Sequence, residues 1–523
     1  MKVVTAQQMQ EIDRITIQQY GIPGEVLMAL AGKSVADYVL HTVKANSVAV
    51  FCGVGNNGGD GFVAAYLLSQ HLPVDVFILG NTDKLTPSSK IYYDVCQHAK
   101  VRCFAISSES LPTIHWETYD CIIDALTGTG FSGKPKGLLE QVISYINKSG
   151  KMVIAIDMPS GLPADGAVES EPIVQAHTTI TMGLPKINLV TYPGKYYAGN
   201  VIVADIGFPS ALCTSGDICR QLIDEEFFTS NYRPATHYDA HKGANGHLLC
   251  IGGFDGMEGA ILLCAKAAFA AGIGLVTLVT TQQSRAIIAG KIPEAITRAL
   301  NATANEPFVK DMYNTVEFTS IYKEMLAQLE NIVQLSRPTV CIIGPGLGRN
   351  ASSAATVAAC LKIAHTIKLP IIIDGDGLYC LAQLPEAKLP LHCIITPHFK
   401  EAERLTGTAV SDLKKNRLLS AEGLAHKIQC IVVLKGPASI VTNGSATYIN
   451  TTGNPALATG GSGDVLSGIM GSLLAKGYEP AIAAALGVYI HGKAADVYYC
   501  ETGNTMMQAS DIVEYIRKAV KQT

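Results

Sequence analysis

The sequence predicts two α/β domains, each built around a mostly parallel β-sheet that is covered by helices on both faces. The chain has 523 residues, which is more than one domain usually holds. Short apolar, often β-branched runs alternate with helical stretches along both halves, as buried parallel strands do. Many of the 49 glycines lie where a predicted strand gives way to a helix, the place where α/β proteins bind ligands.

In the first half, five apolar runs predict buried strands, and the stretches between them predict the covering helices. The predicted strands are Ser47–Cys52, Val74–Leu79, Cys121–Asp124, Met152–Asp157 and Thr178–Thr181. Gly61–Gln70 and Leu138–Lys148 are predicted helices. Strands that are apolar throughout indicate a parallel sheet with helices on both faces.

The second half repeats this pattern, and a polar stretch separates it from the first. Its predicted strands are His247–Ile251, Leu275–Thr280, Thr339–Gly344, Ile371–Asp374, Cys393–Thr396 and Ile431–Lys435. The stretch Cys213–Ala240 has no apolar period, which is typical of a linker. We therefore expect a first domain over residues 1–215, a linker over 216–240 and a second domain over 241–523.

Composition narrows the class of protein. Hydrophobic residues make up 48% and charged residues 16%, which indicates a globular protein with large cores. The net charge of −4, with scattered basic residues, argues against a nucleic-acid partner. The 14 cysteines include no Cys-x-x-Cys pair, and several, such as Cys52, Cys250 and Cys341, lie in apolar runs. We therefore expect free, buried thiols in the reducing cytoplasm.

The sequence predicts neither a secretory signal nor a membrane span. The stretch Met1–Thr5 has no long apolar core, and a polar helix follows it. The apolar stretch Gly259–Thr280 contains Lys266 and is interrupted by glycines next to Ala271. We interpret it as a buried helix followed by a buried strand, and we expect no membrane partner.

A glycine-rich segment, Gly53–Gly61, lies between a predicted strand and a predicted helix. Its glycines let the backbone approach a ligand, and free N–H groups at a helix start favour phosphate. The segment contains Gly-x-Gly-x-x-Gly. However, Leu79-Gly80-Asn81 stands where a standard dinucleotide-binding fold carries an acidic residue at the end of the next strand. It therefore predicts a nucleotide-like ligand without the standard dinucleotide fold.

Two further strand ends carry polar side chains. Asp124 ends one strand, and Asp157 ends another just before Ser160. Because neighbouring parallel strands end at one crevice, Asn57, Asp124 and Ser160 would supply hard oxygen ligands there. Such ligands suit an alkali or alkaline-earth cation rather than zinc. Each residue could instead cap a helix, but three such loops after successive strands favour a site.

These segments resemble signature blocks of the NAD(P)H-hydrate epimerase family. The blocks are Asn56–Gly61, Asp124–Gly130, Asp157–Gly161 and Gly183–Lys186, and the match covers roughly the first two hundred residues. The resemblance implies a Rossmann-like three-layer α/β/α fold and one K⁺ held by Asn57, Asp124 and Ser160. It also implies hydrate binding by Asn56, Asn57, Gly58, Gly59, Asp60, Gly128, Thr129, Gly130, Phe131, Ser132, Gly133, Lys134 and Asp157.

The chemistry of hydrated nicotinamide suggests a catalytic role for Asp157. The added hydroxyl is on a carbon next to the ring nitrogen, so its loss leaves an iminium-like cation. Water can return to this cation on either face. A carboxylate beside the ring would stabilise the cation and shuttle a proton, and we expect Asp157 to do so.

In the second half, the segment Thr459–Gly468 opens a predicted helix with Gly-x-Gly-Asp. Backbone N–H groups at such a start can hold a transferring phosphoryl group, and Asp464 can take a hydroxyl proton. The alternative is a helix cap in which Asp464 interacts with the helix dipole. Four glycines in these ten residues are costly for a cap alone, so function is favoured.

Four other blocks agree with this interpretation, although any one of them could be an ordinary loop. They are Gly252–Ala260, Gly344–Gly348, Thr396–Glu403, where Pro397 is expected in a helical first turn, and Lys435–Ser439. Together they resemble the ribokinase-like superfamily and, within it, the NAD(P)H-hydrate dehydratase family, from about Lys242 to the C-terminus. The resemblance implies a mostly parallel sheet, ADP or ATP with Mg²⁺, and the (6S)-hydrate of NADH or NADPH as substrate.

The same resemblance implies particular binding residues. It places the hydrate at Ala260, Gly346, His398 and Asp464, and the nucleotide at Lys435, Gly436, Pro437, Ala438, Ser439 and Gly463. A lone histidine is more typical of a surface or a core than of a site. Relatives often carry a small residue or glycine before a threonine where this chain has Ala438-Ser439. Ser439 still offers a hydroxyl, so we expect a tuned nucleotide site.

The expected function is therefore repair of hydrated nicotinamide cofactors. Phosphorylation would turn hydroxide, a poor leaving group, into phosphate, with Asp464 as the base that activates the hydroxyl. Two alternatives stay open: a ribokinase-like kinase of a small alcohol fused to a non-catalytic nucleotide-binding domain, and a first domain that only binds ligands. The resemblance also suggests a homo-oligomer.

Overall fold

The chain folds into two compact units. The computed structural model describes residues 1–169, 171–233, 243, 245–302, 306–385 and 388–521. One unit, the first domain, comprises residues 2–220, and the second domain comprises residues 221–523 together with Met1. Each unit is an α/β fold around a parallel or mostly parallel sheet, so the predicted fold class is confirmed.

The first domain alternates strands and helices along the chain. Its strands are β1 (Lys2–Val3), β2 (Val48–Cys52), β3 (Val74–Ile78), β4 (Arg102–Ala105), β5 (Cys121–Ala125), β6 (Met152–Ile156), β7 (Thr178–Met182) and β8 (Asn200–Ala204). Its α-helices are α1 (Ala6–Gln18), α2 (Gly24–Tyr38), α3 (Asn56–Ser69), α4 (Pro87–His98), α5 (Leu138–Lys148), α6 (Ile187–Val190), α7 (Gly194–Ala198) and α8 (Ser210–Cys213).

The first-domain sheet is parallel, in the order β4-β3-β2-β5-β6-β7-β8. Alternate side chains of β2 enter different cores, because successive residues of a strand face opposite sides. Val48 and Val50 lie in a core with Phe62 of α3, whereas Phe51 lies in a core with Ile143 of α5. Since the seven strands of this sheet, β2 to β8, run the same way, their carboxyl ends lie along one edge of the sheet.

One helical stretch, Gly24–Val43, has the length and apolar character of a membrane span. Its residues Leu27, Ala31 and Val35 are buried in the first-domain core. At Gly32, a Cβ would lie 2.4 Å from the Cβ of Val63 on α3, so the two helices pack closely. One face of this stretch therefore packs against the first-domain core.

The second domain continues the alternation. Its strands are β9 (Arg220–Ile223), which starts at the boundary, β10 (His247–Ile251), β11 (Leu275–Thr281), β12 (Ile296–Leu300), β13 (Val340–Ile343), β14 (Ile371–Ile373), β15 (Cys393–Ile395), β16 (Ile431–Leu434), β17 (Ile440–Thr442) and β18 (Thr447–Asn450). Its α-helices are α9 (Glu225–Asn231), α10 (Glu258–Ala270), α11 (Gln282–Ala289), α12 (Val316–Ser336), α13 (Ala351–Ile367), α14 (Asp376–Gln383), α15 (Phe399–Thr406), α16 (Val410–Lys415), α17 (Arg417–Ile428), α18 (Ser462–Ala475), α19 (Pro480–Thr502) and α20 (Ala509–Lys521).

The second-domain strands follow the order β9-β18-β17-β16-β15-β14-β13-β10-β11-β12. The run from β16 to β12 is parallel, whereas β17 pairs antiparallel with both β16 and β18. The apolar segment after Gly259 forms α10 and β11, as predicted. Helices α10, α18 and α19 contribute Ala265, Ile469 and Leu486 to one large core with the sheet.

The structure differs from the prediction over residues 216–240, which were expected to form a linker. These residues contain β9 and α9, and Phe227 and Phe228 of α9 are each 3% exposed in the second-domain core. The ring of Phe228 stacks on Tyr489 with 5.0 Å between ring centroids. Two adjacent aromatic residues in a polar run show no apolar period, which is why the sequence favoured a linker. The rest of the predicted linker, 234–240, lies outside the described residues.

Candidate active sites

A cavity of about 660 Å³ opens in the first domain at the carboxyl ends of β2, β5 and β6. This volume is typical of a small-molecule site. Helices α1 and α2 form part of its wall through Met9, Asp13 and Leu27. The predicted hydrate-binding residues that line it are Asn56, Asn57, Asp60, Gly128, Thr129, Gly130, Phe131 and Asp157.

Gly58 and Gly59, also predicted to bind the hydrate, are buried in the packing of α3. A Cβ at Gly58 would lie 1.9 Å from the carbonyl oxygen of Gly53, and one at Gly59 would lie 2.5 Å from the side chain of Met28. Helix α3 therefore begins at Asn56, inside the glycine-rich segment, rather than at Gly61 as predicted. These glycines let the first turn of α3 lie against the end of β2.

A chain of hydrogen bonds joins the three predicted cation ligands. The amide of Asn57 donates to the carbonyl of Thr127 at 3.0 Å, and the N–H of Thr127 donates to Oγ of Ser160 at 2.9 Å. The hydroxyl and N–H of Ser160 donate to the two carboxylate oxygens of Asp124 at 2.6 and 2.7 Å. Asp124 and Ser160 thus bind each other and the loop after β5 instead of capping helices.

Asp124 is fully buried, and no ion pair to it is formed by the residues that the structure describes. Burial raises the pKa of its carboxyl to about 6, although the hydrogen bonds from Ser160 oppose this shift. A buried carboxylate without a cation is costly, so a cation nearby would stabilise it. The carboxylate, hydroxyl and amide oxygens offered by Asp124, Ser160 and Asn57 fit a hard cation such as K⁺.

Asp157 follows β6 in a left-handed backbone conformation, with φ +62°. Such a conformation costs on the order of 1–3 kcal/mol for a residue with a side chain. Three donors hold its Oδ1: Nζ of Lys186 at 2.5 Å, Oγ1 of Thr181 at 3.2 Å and the N–H of Met182 at 3.3 Å. All three bonds are made to this one oxygen. The geometry therefore fixes a carboxylate at the cavity wall.

Lys186, which the sequence reasoning did not select as a site residue, lies beside Asp157 in this cavity. It lies at the end of the Gly183–Lys186 block, lines the cavity, and is only 1% exposed. A lysine within a mostly apolar segment was the available signal in the sequence, since lysine is rarely buried unless it is paired. Asp13 on α1 was also missed, and burial raises the pKa of its carboxyl.

Three predicted hydrate-binding residues lie elsewhere. Ser132, Gly133 and Lys134 line a separate depression of about 410 Å³ together with Gly161 and Asp165. Gly133 has φ +80°, a turn conformation that suits glycine and redirects the chain after Phe131. The structure therefore does not bring these three residues into the cavity that holds Asp157.

In the second domain, Asp464 lies in the first turn of α18. Gly461, which precedes this helix, has φ +88°, so a glycine is needed to turn the chain into it. Burial, and then the neighbouring Asp374, raise the pKa of Asp464 to about 7, while Lys435 acts in the opposite direction. A carboxyl with such a pKa is suited to accept a proton at neutral pH.

Asp374, at the end of β14, is the centre of a buried polar network that the sequence reasoning missed. It is 2% exposed and accepts hydrogen bonds from Oγ1 of Thr396 at 2.6 Å and Oγ of Ser467 at 2.8 Å. Nζ of Lys435 lies 2.8 Å from its Oδ1. Burial alone would raise the pKa of Asp374, but Lys435 and these hydrogen bonds bring it below its usual value. Its position at the carboxyl end of a parallel strand was the available signal.

Lys435 joins the predicted nucleotide residues to this network. A Cβ at Gly463 would lie 3.4 Å from Nζ of Lys435, so the ammonium lies against the first turn of α18. Glu401 lies 3.8 Å from the same ammonium. Burial disfavours the charged lysine, but Asp374 and Glu401 outweigh it and raise the pKa of Lys435.

The remaining predicted nucleotide residues form a tight loop after β16. Gly436 has φ +147° and Ala438 has φ +50°, both unusual for a residue with a side chain. The hydroxyl of Ser439 donates to the carbonyl of Gly436 at 2.9 Å, and Arg417 donates to the carbonyl of Pro437. Ser439 would have to exchange this internal bond to bind a phosphate.

The predicted hydrate residues of the second domain fall into two groups. Ala260 and Gly346 meet at the start of α10, since a Cβ at Gly346 would lie 3.2 Å from the Cβ of Ala260. His398 instead caps α15, because its Nδ1 accepts from the N–H groups of Lys400 and Glu401 at 3.0 and 3.3 Å. Pro397 therefore precedes the cap and is not in the first turn, where it was expected. Burial, and then Lys435, lower the pKa of His398.

Two α/β domains, each with buried acidic side chains at the carboxyl ends of its parallel strands, are typical of an enzyme that acts on small molecules. Residues 248–518 match the family described as NAD(P)H-hydrate dehydratase, and residues 24–188 match the family described as YjeF-related protein N-terminus. The chain is 35% identical to the bifunctional NAD(P)H-hydrate repair enzyme of Moorella thermoacetica, over 99% of this chain and 96% of that one. It is 34% identical to the corresponding Thermofilum pendens enzyme, over 100% of this chain and 96% of that one.

The chain therefore belongs to the family of bifunctional NAD(P)H-hydrate repair enzymes. A solved structure, the ADP/ATP-dependent NAD(P)H-hydrate dehydratase of Bacillus subtilis co-crystallised with ATP and Mg²⁺, is also similar to it. That similarity has a TM-score of 0.47 and 26% identity, and it covers 58% of this chain and 98% of that one.

Proposed function

We propose that the first domain interconverts the two epimers of hydrated NADH and NADPH, and that the second domain dehydrates the (6S)-epimer. ADP or ATP is the phosphate donor, giving AMP or ADP and phosphate. The observation that carries this proposal is the presence of two acidic residues, Asp157 and Asp464, in different domains of one chain. Each domain matches its own family, and the whole chain matches bifunctional repair enzymes. The full-length match favours repair over a kinase fused to a non-catalytic domain.

In the epimerase reaction, Asp157 supports the cation that forms when the hydroxyl leaves the ring. Its carboxylate lines the cavity, and the hydrogen bonds from Lys186, Thr181 and Met182 hold it in place before the substrate arrives. Such preorganised charge is an effective way to stabilise a charged intermediate. Asn56, Asn57 and Gly128 through Phe131, on the cavity wall, would contact the hydrate.

Asp124, Ser160 and Asn57 would hold K⁺ at the loop after β5. Bound there, the ion supplies a fixed positive charge that favours phosphate oxygens nearby. The protein supports this assignment through the buried Asp124 carboxylate, whose pKa burial raises to about 6. The Thr127 N–H to Ser160 bond fixes the hydroxyl so that its oxygen stays beside Asp124.

In the dehydratase reaction, Asp464 takes the proton of the added hydroxyl, and the oxygen then attacks the terminal phosphoryl group of the nucleotide. The N–H groups at the start of α18 hold the charge that develops. Phosphate leaves with the electron pair of its carbon–oxygen bond, and the adjacent ring carbon loses a proton, which restores the double bond. Lys435 and the loop through Ser439 would bind the nucleotide.

Mg²⁺ accompanies nucleotide phosphates and would neutralise their charge. The described residues contain no group of three or more His, Cys, Asp or Glu side chains placed to hold a metal ion. Mg²⁺ fits such a site because it is usually held by phosphates and water with one or two protein ligands. The 14 free cysteines, most of them buried, support a cytoplasmic location. A homo-oligomer stays a prediction.

The test supplies the purified protein with a mixture of both hydrate epimers and with ADP or ATP. We expect the absorbance of the reduced nicotinamide to return for all of the hydrate. Recovery of only the (6S)-fraction would show that the first domain does not epimerise. A stable phosphorylated product would support a kinase instead. In the control, Asp464→Asn, nucleotide-dependent recovery should be abolished while the two epimers still interconvert.

A further inference from the structure

A second carboxyl group, that of Asp60, lines the same first-domain cavity as Asp157. Asp60 lies in α3, and the backbone around it is fixed by a close helix contact. A Cβ at Gly32 of α2 would lie 2.6 Å from the carbonyl oxygen of Asp60, so α2 and α3 touch at this turn. The carboxyl is therefore held at a defined place on the cavity wall.

The two carboxyl groups differ in their partners. Oδ1 of Asp157 takes the ammonium of Lys186 and two further donors. In contrast, no hydrogen bond or ion pair reaches the carboxyl of Asp60 from any residue that the structure describes. The ammonium of Lys186 is thus bound to Asp157, and the acidic neighbours of Asp60 are Asp157 and Asp13.

The charged groups that face Asp60 come from three elements. Asp157 follows β6, Asp13 is on α1, and Lys186 precedes α6. Burial, and then Asp157 and Asp13, raise the pKa of Asp60 well above its usual value, while Lys186 acts weakly in the opposite direction. Two carboxyl groups whose surroundings differ in this way are suited to separate acid and base roles.

We propose that Asp60 is the general acid of the epimerase, which protonates the hydroxyl as it leaves the ring, while the Asp157 carboxylate supports the resulting cation. This inference rests on the proposed epimerase function and deepens it. The role requires a proton on Asp60 and a carboxylate at Asp157, and Asp157 is the carboxyl that pairs with the Lys186 ammonium.

The proton of Asp60 passes to the hydroxyl oxygen, the carbon–oxygen bond breaks with its electron pair on oxygen, and water departs. The lone pair of the ring nitrogen forms the carbon–nitrogen double bond of the cation. Water then adds to either face of the ring carbon and returns one proton to Asp60. The outcome is the same hydrate or its epimer, and the enzyme is unchanged.

The experiment measures epimer exchange by the full chain across a range of pH, after subtraction of the uncatalysed exchange. In the parent protein, kcat/KM should fall as the pH rises through the pKa of Asp60, because the acid form is then lost. We expect Asp60→Asn to lower kcat by roughly 100-fold or more, the usual contribution of a general acid. The kcat/KM of this variant should not fall as the pH rises.

Two further variants separate catalysis from structure. Asp60→Glu retains a carboxylic acid and should recover part of the rate together with the fall at high pH. Asp13→Asn removes a negative charge that favours protonated Asp60, so the fall should move to lower pH. Asp94→Asn, in an exposed ion pair with Lys90 on α4, is the charge-matched control and should behave like the parent.

Several outcomes would overturn the inference. Asp60→Asn could exchange epimers as fast as the parent, keep the same fall at high pH, or raise KM with kcat unchanged. In each case Asp60 would be a binding residue or a bystander. If the parent chain itself fails to exchange epimers, the proposed epimerase function fails, which is a different result.

Discussion

Two neighbours of Asp464, the Asp374 carboxylate and the Lys435 ammonium, act on its pKa in opposite directions. Burial and Asp374 raise its pKa to about 7, whereas Lys435 lowers it. A general base must be ionised, so kcat/KM for dehydration should rise with pH as Asp464 loses its proton. The rise should be centred near pH 7 when hydrate dehydration is followed at saturating nucleotide.

Two variants of its neighbours should move this rise in opposite directions. Asp374→Asn removes a negative charge, which lowers the pKa of Asp464 and moves the rise to lower pH. Lys435→Met removes the positive charge and moves the rise to higher pH. Shifts in the same direction, or none in either variant, would show that Asp464 is not the titrating base.

Single residues were predictable from the sequence where a strand end or a glycine-opened helix marked them, as for Asp157 and Asp464. Their partners were not, because the pairs join distant parts of the chain. Lys186 meets Asp157 across 29 residues, and Lys435 meets Asp374 across 61. Only the fold brings such pairs together, so their ion pairs could not be inferred from the sequence.

Helices α10 and α18 carry predicted substrate residues, and a single glycine sets the distance between them. A Cβ at Gly468 of α18 would lie 2.1 Å from the carbonyl oxygen of Cys264 on α10. Because that atom belongs to the backbone, the helices must move apart. Gly468→Ala should destabilise the second domain by ~1–3 kcal/mol or more, as overpacking does. Dehydratase activity should fall with it, and thermal unfolding and dehydration assays check both effects.

The matched control for this prediction is Gly423→Ala in α17, where a Cβ would meet no heavy atom within 4 Å. Alanine is favoured over glycine inside a helix by about 0.5–1 kcal/mol, so this variant should be slightly more stable than the parent. First-domain epimer exchange should be normal in both variants. Equal stability of the two variants would contradict the steric explanation.

At the level of elements, the inner parallel strands were predicted to within one residue at each end, because they are mostly apolar. The antiparallel strands β17 and β18 were not predicted, although they are largely buried. The edge strands β4, β8 and β12 were missed, since they are largely exposed or only partly buried. Such strands show no continuous apolar run, and burial on two faces is what makes a parallel strand visible in sequence. Helix α3 begins at Asn56, five residues before its predicted start at Gly61. Close backbone packing overrides the low helix propensity of Gly58 and Gly59.

At the scale of the whole molecule, each domain has its own core and its own set of acidic residues. The cavity residues around Asp157 all belong to residues 2–220, and the network around Asp464 belongs to residues 221–523. One domain interconverts epimers and the other consumes one of them, so a shared chain lets all of the damaged cofactor be recovered. Free diffusion of the hydrate between the sites is sufficient for this.

This independence predicts complementation between two inactive proteins. Asp157→Asn alone should leave the (6R)-hydrate to the slow uncatalysed exchange, and Asp464→Asn alone should return no reduced cofactor. An equimolar mixture of the two proteins, given both epimers and nucleotide, should recover all of the hydrate as the parent does. The absorbance of the reduced nicotinamide gives both the rate and the final yield. A mixture that stops at the (6S)-fraction would mean that the intermediate passes only between two intact sites of the same chain.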